Sequence, residues 1–229
     1  MNYLEKYIEE TVMEFESLAD CVWKFNLHIA DLRKEEMGKL NLYFPNDPKA
    51  QAWRWKHESR LLEEVFPKAL NYSFAVFVYI EIETRLMRLC NLLQKEFKLP
   101  IKAADLKGQG TEKYIEYLSK LIGISKDEMV LLDVKRNLGK IRNCIVHTNG
   151  FIGALKDNKE IEQIIQKELY LKDKDRNNTK RDRKLVVIEK MEGEHRLKVD
   201  VHYPFLLCSY ARDFFIELYE LIQKRVHNK

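Results

Sequence analysis

The chain has 229 residues, of which 45% are hydrophobic, and 40 Lys and Arg against 36 Asp and Glu leave a net charge of +4. That supports one sizeable core, and low glycine and proline (8 and 5) beside abundant Leu, Ile, Glu and Lys favour helix. No run of about 18 apolar residues exists to cross a membrane as a helix, and six acids against one base over Met1–Asp20 are unlike a secretory leader, so a cytoplasmic protein without membrane contact is expected.

In chain order, Tyr3 to about Lys39 reads as one long helix, with Leu18, Val22, Phe25 and Ile29 at spacings of four, three and four. Leu42 to Pro48 breaks it with two prolines and Asn46-Asp47. A second helix spans about Lys49 to Val65 and carries Trp53 and Trp55, which lie two apart and cannot share a helix face. Residues 1–66 form an N-terminal helical extension packed on the core.

Pro67 then opens a long helix whose stripe is Phe74, Phe77, Val78, Ile82, Leu86, Leu89 and Leu93, with Pro100 beyond its end. Lys107-Gly108-Gln109-Gly110 reads as a flexible loop. Thr111 caps a helix to about Ile122, and Gly123 stops it. Ser125 and Glu128 have the spacing of a capping box, opening a helix over 127–148 that Asn149-Gly150 ends.

Lys159 to Leu169 is a short helix. Lys172–Lys184 holds seven bases and three acids and reads as a mobile charged loop. Leu185–Lys190 and Arg196–Val201 are β-rich around Gly193, which predicts a hairpin. Pro204 opens the last helix, with Phe205, Leu206, Phe214, Phe215, Leu218 and Leu221 on its apolar face. The expected fold is mainly α. Helices over 67–98, 111–123, 127–148 and 204–227 form a four-helix bundle within a 67–229 domain, and a charged loop and small β-hairpin insert at about 151–203.

The four cysteines, Cys21, Cys90, Cys144 and Cys208, form no C-x-x-C pair, so they read as buried thiols rather than disulfides or metal ligands. No cofactor and no metal are called for.

Ile141 to Gly150 (IRNCIVHTNG) is the chemically loaded stretch. At about 100° per residue, Val134, Leu138, Ile141 and Ile145 fall within one narrow arc, the core face. Asn143 and His147, four apart, lie nearly opposite. Arg136 and Lys140 precede them on the same edge, Arg142 sits on the flank, and Lys135 adds to the local positive charge. An arginine can hold negative charge developing on a phosphodiester and a histidine can move its proton. Lys135, Arg136 and Lys140 are candidate RNA-backbone contacts. Arg196 and His202 have similar spacing, but apolar Leu197 and strand alternation make that pair accidental.

The constellation resembles the HEPN superfamily, whose ribonuclease members carry an Arg, four to six residues, then a His near the end of a bundle helix, often with Asn after the Arg. Arg142, Asn143 and His147 match, and Glu83 resembles an acidic position on an earlier core helix. The resemblance covers about residues 67–148 plus the last helix. It implies a metal-independent endoribonuclease in which the RNA 2′-hydroxyl attacks the adjacent phosphate, leaving a 2′,3′-cyclic phosphate. In that role His147 moves the proton, Arg142 stabilises the phosphorane, and Asn143 orients His147 or the phosphate. It also implies a homodimer with two motifs facing one cleft, in a toxin or antiviral defence effector with an antitoxin or regulatory partner. The same residues fit a non-catalytic HEPN-like module that binds RNA or a regulatory protein.

Overall fold

Helix α1 (Tyr3–Tyr43) buries Leu4, Ile8, Thr11 and Phe15 at spacings of four, three and four, and Val22 one heptad beyond Phe15. The one polar member, Thr11, returns its hydroxyl to the Tyr7 carbonyl at 2.8 Å, which satisfies it inside the core. In the computed structural model, which describes residues 3–108, 110–129, 132–178, 181–191 and 193–227, this seam is filled by α8 (His202–His227) and α3 (Phe66–Glu96). Phe15 stacks on Phe215 with ring centroids 5.8 Å apart. The segment expected as an extension therefore supplies Leu4, Ile8 and Phe15 to the main core itself. Full burial ends midway along it: Val22 is buried, while Phe25, three residues on, is 46% exposed.

Helix α2 (Pro48–Ser59) starts where the sequence places it, with Asp47 accepting from the Ala50 amide at 3.0 Å. It does not stop before Pro67. A π-helical stretch, Arg60–Val65, joins it to α3, and the Phe66 amide reaches back to the Leu61 carbonyl. A proline cannot donate to the preceding turn, and the wider turn absorbs that missing bond. From α3, Val78, Ile82, Leu86, Leu89 and Leu93 are buried as expected, whereas Phe77 is exposed.

Helix α4 (Gly110–Tyr117) continues as a π turn to Ile122 and ends at left-handed Gly123. Thr111 is not its cap: it lies inside the first turn and is buried. The Ser125–Glu128 capping box is present, but it closes a short 3₁₀ turn, Lys126–Glu128. Helix α5 (Leu132–Thr148) follows, and Val130 and Leu131 between them lie outside the described residues. The molecule is thus mainly helical, with α1, α3 and α8 at its centre and α4 and α5 packed on α3.

Helices α6 (Asn158–Gln166) and α7 (Asp173–Arg176) precede the antiparallel hairpin β1 (Val186–Met191) and β2 (Glu194–Val199). The strands pair from Val186↔Val199 to Met191↔Glu194. Gly193 turns the chain at φ 88°, and Glu192 lies outside the described residues. The second strand starts two residues earlier than the sequence suggests.

This hairpin also fixes the end of α5. Asn71 of α3 donates to the Val199 carbonyl at 2.9 Å, and the Tyr72 hydroxyl to the Leu197 carbonyl at 2.5 Å. The Leu197 amide donates to the Gly150 carbonyl at 2.9 Å. The exit of α5 needs two left-handed residues, Asn149 at φ 52° and Gly150 at φ 82°. A Cβ on Gly150 would overlap the Tyr72 hydroxyl. Gly150→Ala should therefore cost about 2 kcal/mol or more in urea unfolding, from backbone strain together with the displaced tyrosine; a change within a few tenths would remove Gly150 from this role.

Candidate functional site

Every residue singled out in the sequence for chemistry lines one cleft of about 1270 Å³, walled by α3, the 105–117 segment and α5. The core face of α5 is as expected: Val134, Leu138, Ile141 and Ile145 are buried, joined by Cys144. With that arc held inward, Arg142, Asn143 and His147 line the cleft with Lys135, Arg136 and Lys140, and Glu83 enters from α3. Because Cα–Cβ bonds lean toward a helix N-terminus, His147 leans back over Asn143.

The arginine is held on two sides. Its Nη1 donates to Asn143 Oδ1 at 2.8 Å, and its Cζ lies 5.5 Å from the Tyr79 ring centroid, a cation–π distance. Its Nε is buried without a hydrogen-bond partner. Asn143 therefore orients Arg142, whereas the expectation was His147 or the phosphate. His147 is exposed and has no hydrogen-bond partner among the described residues.

Charge in the cleft is uneven. Its lining carries eight Lys or Arg side chains against four carboxylates. Lys120 and Lys126 both bond Glu116, which holds that carboxyl down at about 2. Lys140 is held by Glu160 of α6, so of the three expected backbone contacts it is the one already neutralised. Lys113 donates to the Ala104 carbonyl at 2.7 Å. Lys107, Lys135, Arg136 and Arg142 have no carboxylate partner among the described residues. A cleft with unpaired cations and a pinned guanidinium offers an anion favourable partners.

Glu83 pairs with none of Arg85, Arg88 or Arg142. Arg85 is taken by Glu81 at 3.3 Å and Glu14 at 3.5 Å. Glu83 Oε1 instead lies beside the start of α4, 3.3 Å from where a Cβ on Gly110 would be. A carboxylate there complements the positive end of the helix.

The charged run is not a free loop. Lys172 pairs with Asp213 at 3.3 Å, Arg181 with Glu168 at 2.6 Å, and Arg183 with Asp200 at 3.6 Å. Arg176 donates to the Leu171 carbonyl at 3.0 Å. Thr179 and Lys180 lie outside the described residues, as does Gln109 of the loop before α4. Carboxylates distant in sequence, and a nearby carbonyl, take up positive charge that the sequence alone leaves unassigned. The Arg196–His202 pair is dispersed as expected: Arg196 lies over the Phe151 ring at 4.5 Å, and His202 Nδ1 bonds Asp200 at 2.6 Å. Burial pushes the Cys90 and Cys208 thiols up to about 12, and raises Cys144 as well, which leaves none of the three a nucleophile near neutral pH.

Among the cleft residues that escaped the sequence reading are Tyr79 and Gly139, besides charged side chains such as Glu112, Lys113 and Glu116. A glycine inside a helix costs about 1 kcal/mol relative to alanine, and that isolated misfit between Leu138 and Lys140 was the available signal. No protein-family model, no curated protein and no solved structure matches the chain.

Desolvation brings the half-buried Lys135 amine down to about 8, opposed by Glu112 and Glu83. Below that value folded and unfolded chains are both protonated, and the full cost of burying the charge is present. Between about 8 and the ordinary 10.5 the unfolded chain holds a proton the folded one has shed, so stability rises with pH. Lys135→Met should be more stable than wild type at pH 7, and the gain should vanish above about 10.5 in urea unfolding. A gain independent of pH would disprove the burial cost.

Proposed function

We propose that the chain is a metal-independent endoribonuclease related to the HEPN superfamily, with Arg142, Asn143 and His147 as its reactive group. One observation carries this: a buried apolar arc turns the three residues into a cleft rich in unpaired cations, where the guanidinium is gripped but its N–H capacity is not exhausted. RNA offers what such a cleft takes, a phosphodiester beside a hydroxyl nucleophile.

In this reading the 2′-oxygen bonds to phosphorus as its proton passes to the His147 imidazole. The bond from phosphorus to the 5′-oxygen breaks, and the imidazolium returns the proton to that oxygen. The products are a 2′,3′-cyclic phosphate and a 5′-hydroxyl, with no water consumed. Arg142 holds the charge that grows on the phosphorane oxygens, a task for a preorganised donor. Asn143 keeps Arg142 turned the right way, and Lys135 and Arg136 hold neighbouring phosphates. Glu83 supports the site through the start of α4.

The resemblance also carries a homodimer, a toxin or defence role and an antitoxin-like partner. In that homodimer the Arg142 and His147 clefts of the two copies would face each other. A regulator would act by covering the cleft mouth.

The test is cleavage of a single-stranded RNA in EDTA, with product ends identified. Wild type should leave 2′,3′-cyclic phosphates, and His147→Ala and Arg142→Ala should each lose about a hundredfold or more in rate. Cleavage by His147→Ala at the wild-type rate rejects the mechanism. Tight, salt-sensitive RNA binding without cleavage would make the chain a binding module instead.

A further inference from the structure

We infer that Tyr79 is a positioning residue for Arg142, and that Gly139 is present in α5 to admit its ring. Glycine is the least favourable helix residue after proline, and Gly139 is not among the glycines with positive φ. Its backbone therefore needs no glycine. What needs it is space. A Cβ on Gly139 would lie 2.9 Å from the Tyr79 hydroxyl oxygen, 3.5 Å from Cζ and 3.8 Å from Cε2. The ring thus crosses α5 at the one position without a side chain.

Arg142 follows Gly139 by three residues, on the same flank of the helix. Its guanidinium carbon sits 5.5 Å from the ring centroid. The tyrosine hydroxyl also lies near Thr111 of α4. Three helices therefore meet at one ring: α3 carries it, α4 borders it and α5 makes room for it. With its face on the ring and one nitrogen on Asn143, the guanidinium loses most of its rotational freedom. Burial raises the phenol above the ordinary tyrosine value, so it stays neutral near pH 7 and serves as a platform rather than as an acid or base.

Tyr79's effect on rate rests on the ribonuclease reading, but its grip on Arg142 does not, and two readouts separate them. The first is the Nε–H signal of Arg142 in ¹H–¹⁵N spectra, assigned through Arg142→Lys. The second is the kcat and KM of RNA cleavage in EDTA. Tyr79→Leu should move the Arg142 signal toward that of a free arginine and lower kcat about tenfold, with KM little changed. Tyr79→Phe keeps the ring and should restore both the signal and most of the rate. Gly139→Ala crowds the ring from the other side and should shift the same signal, which keeps the test decisive if Tyr79→Leu does not fold.

An Arg142 signal unchanged in Tyr79→Leu, or in Gly139→Ala, overturns the positioning role, as does Tyr79→Phe being as slow as Tyr79→Leu. If wild type cuts no RNA while the Arg142 signal follows Tyr79 as described, the ribonuclease reading falls and the positioning stands.

Discussion

Burial of one arc of α5 governs the rest of the site. Val134, Leu138, Ile141 and Ile145 are each at most 7% exposed, and such side chains contribute roughly 2 kcal/mol apiece when removed from water. Turning the helix by one residue, about 100°, would expose them and push Arg142 or its neighbours into hydrocarbon. No contact in the cleft is strong enough to compete with that. The rotation of α5 is therefore set by the core, and the cleft receives whatever the remaining faces carry.

Its axial position is fixed as firmly. The Gly150 turn is locked between the Tyr72 hydroxyl and β2, and Asn137 reaches out to the Leu169 carbonyl at 2.8 Å beyond α6. The hairpin is thus a clamp on the helix that carries Arg142 and His147. Against this frame α3 contributes Tyr79 and Glu83 one turn apart, the first toward α5 and the second toward the start of α4. One rigid helix thus carries both a pinned arginine and an exposed histidine. That division suits a group that must hold charge still beside one that must exchange protons with solvent.

The helical character, the hairpin and the α5 core face were legible because they rest on local rules: periodicity, turn residues and caps. The Ser125–Glu128 box shows the limit of such rules, since it formed as read but capped a 3₁₀ turn instead of the long helix. Pro67 does sit in the first turn of α3 as read, but a π turn over Arg60–Val65 joins that start to α2, so no loop separates the two helices. The charged run at 172–184 looked solvated because its partners Glu168, Asp200 and Asp213 are remote in sequence. Tyr79 was hidden for the same reason: only the crossing of α3 over Gly139 brings it beneath Arg142. Spacing found Arg142, Asn143 and His147, while their geometry depended on two helices that spacing does not relate.

The most direct measurement is an NMR titration of the protein with a short RNA whose 2′-hydroxyls are methylated, so that it binds without being cut. Shifts are predicted at the amides of Arg136, Gly139, Arg142 and His147 and at the start of α4, while a second groove, lined by Met13 and Glu16 of α1 and Ser209 of α8, stays undisturbed. Shifts confined to that groove, or an α5 spectrum unchanged at saturating RNA, would contradict the account.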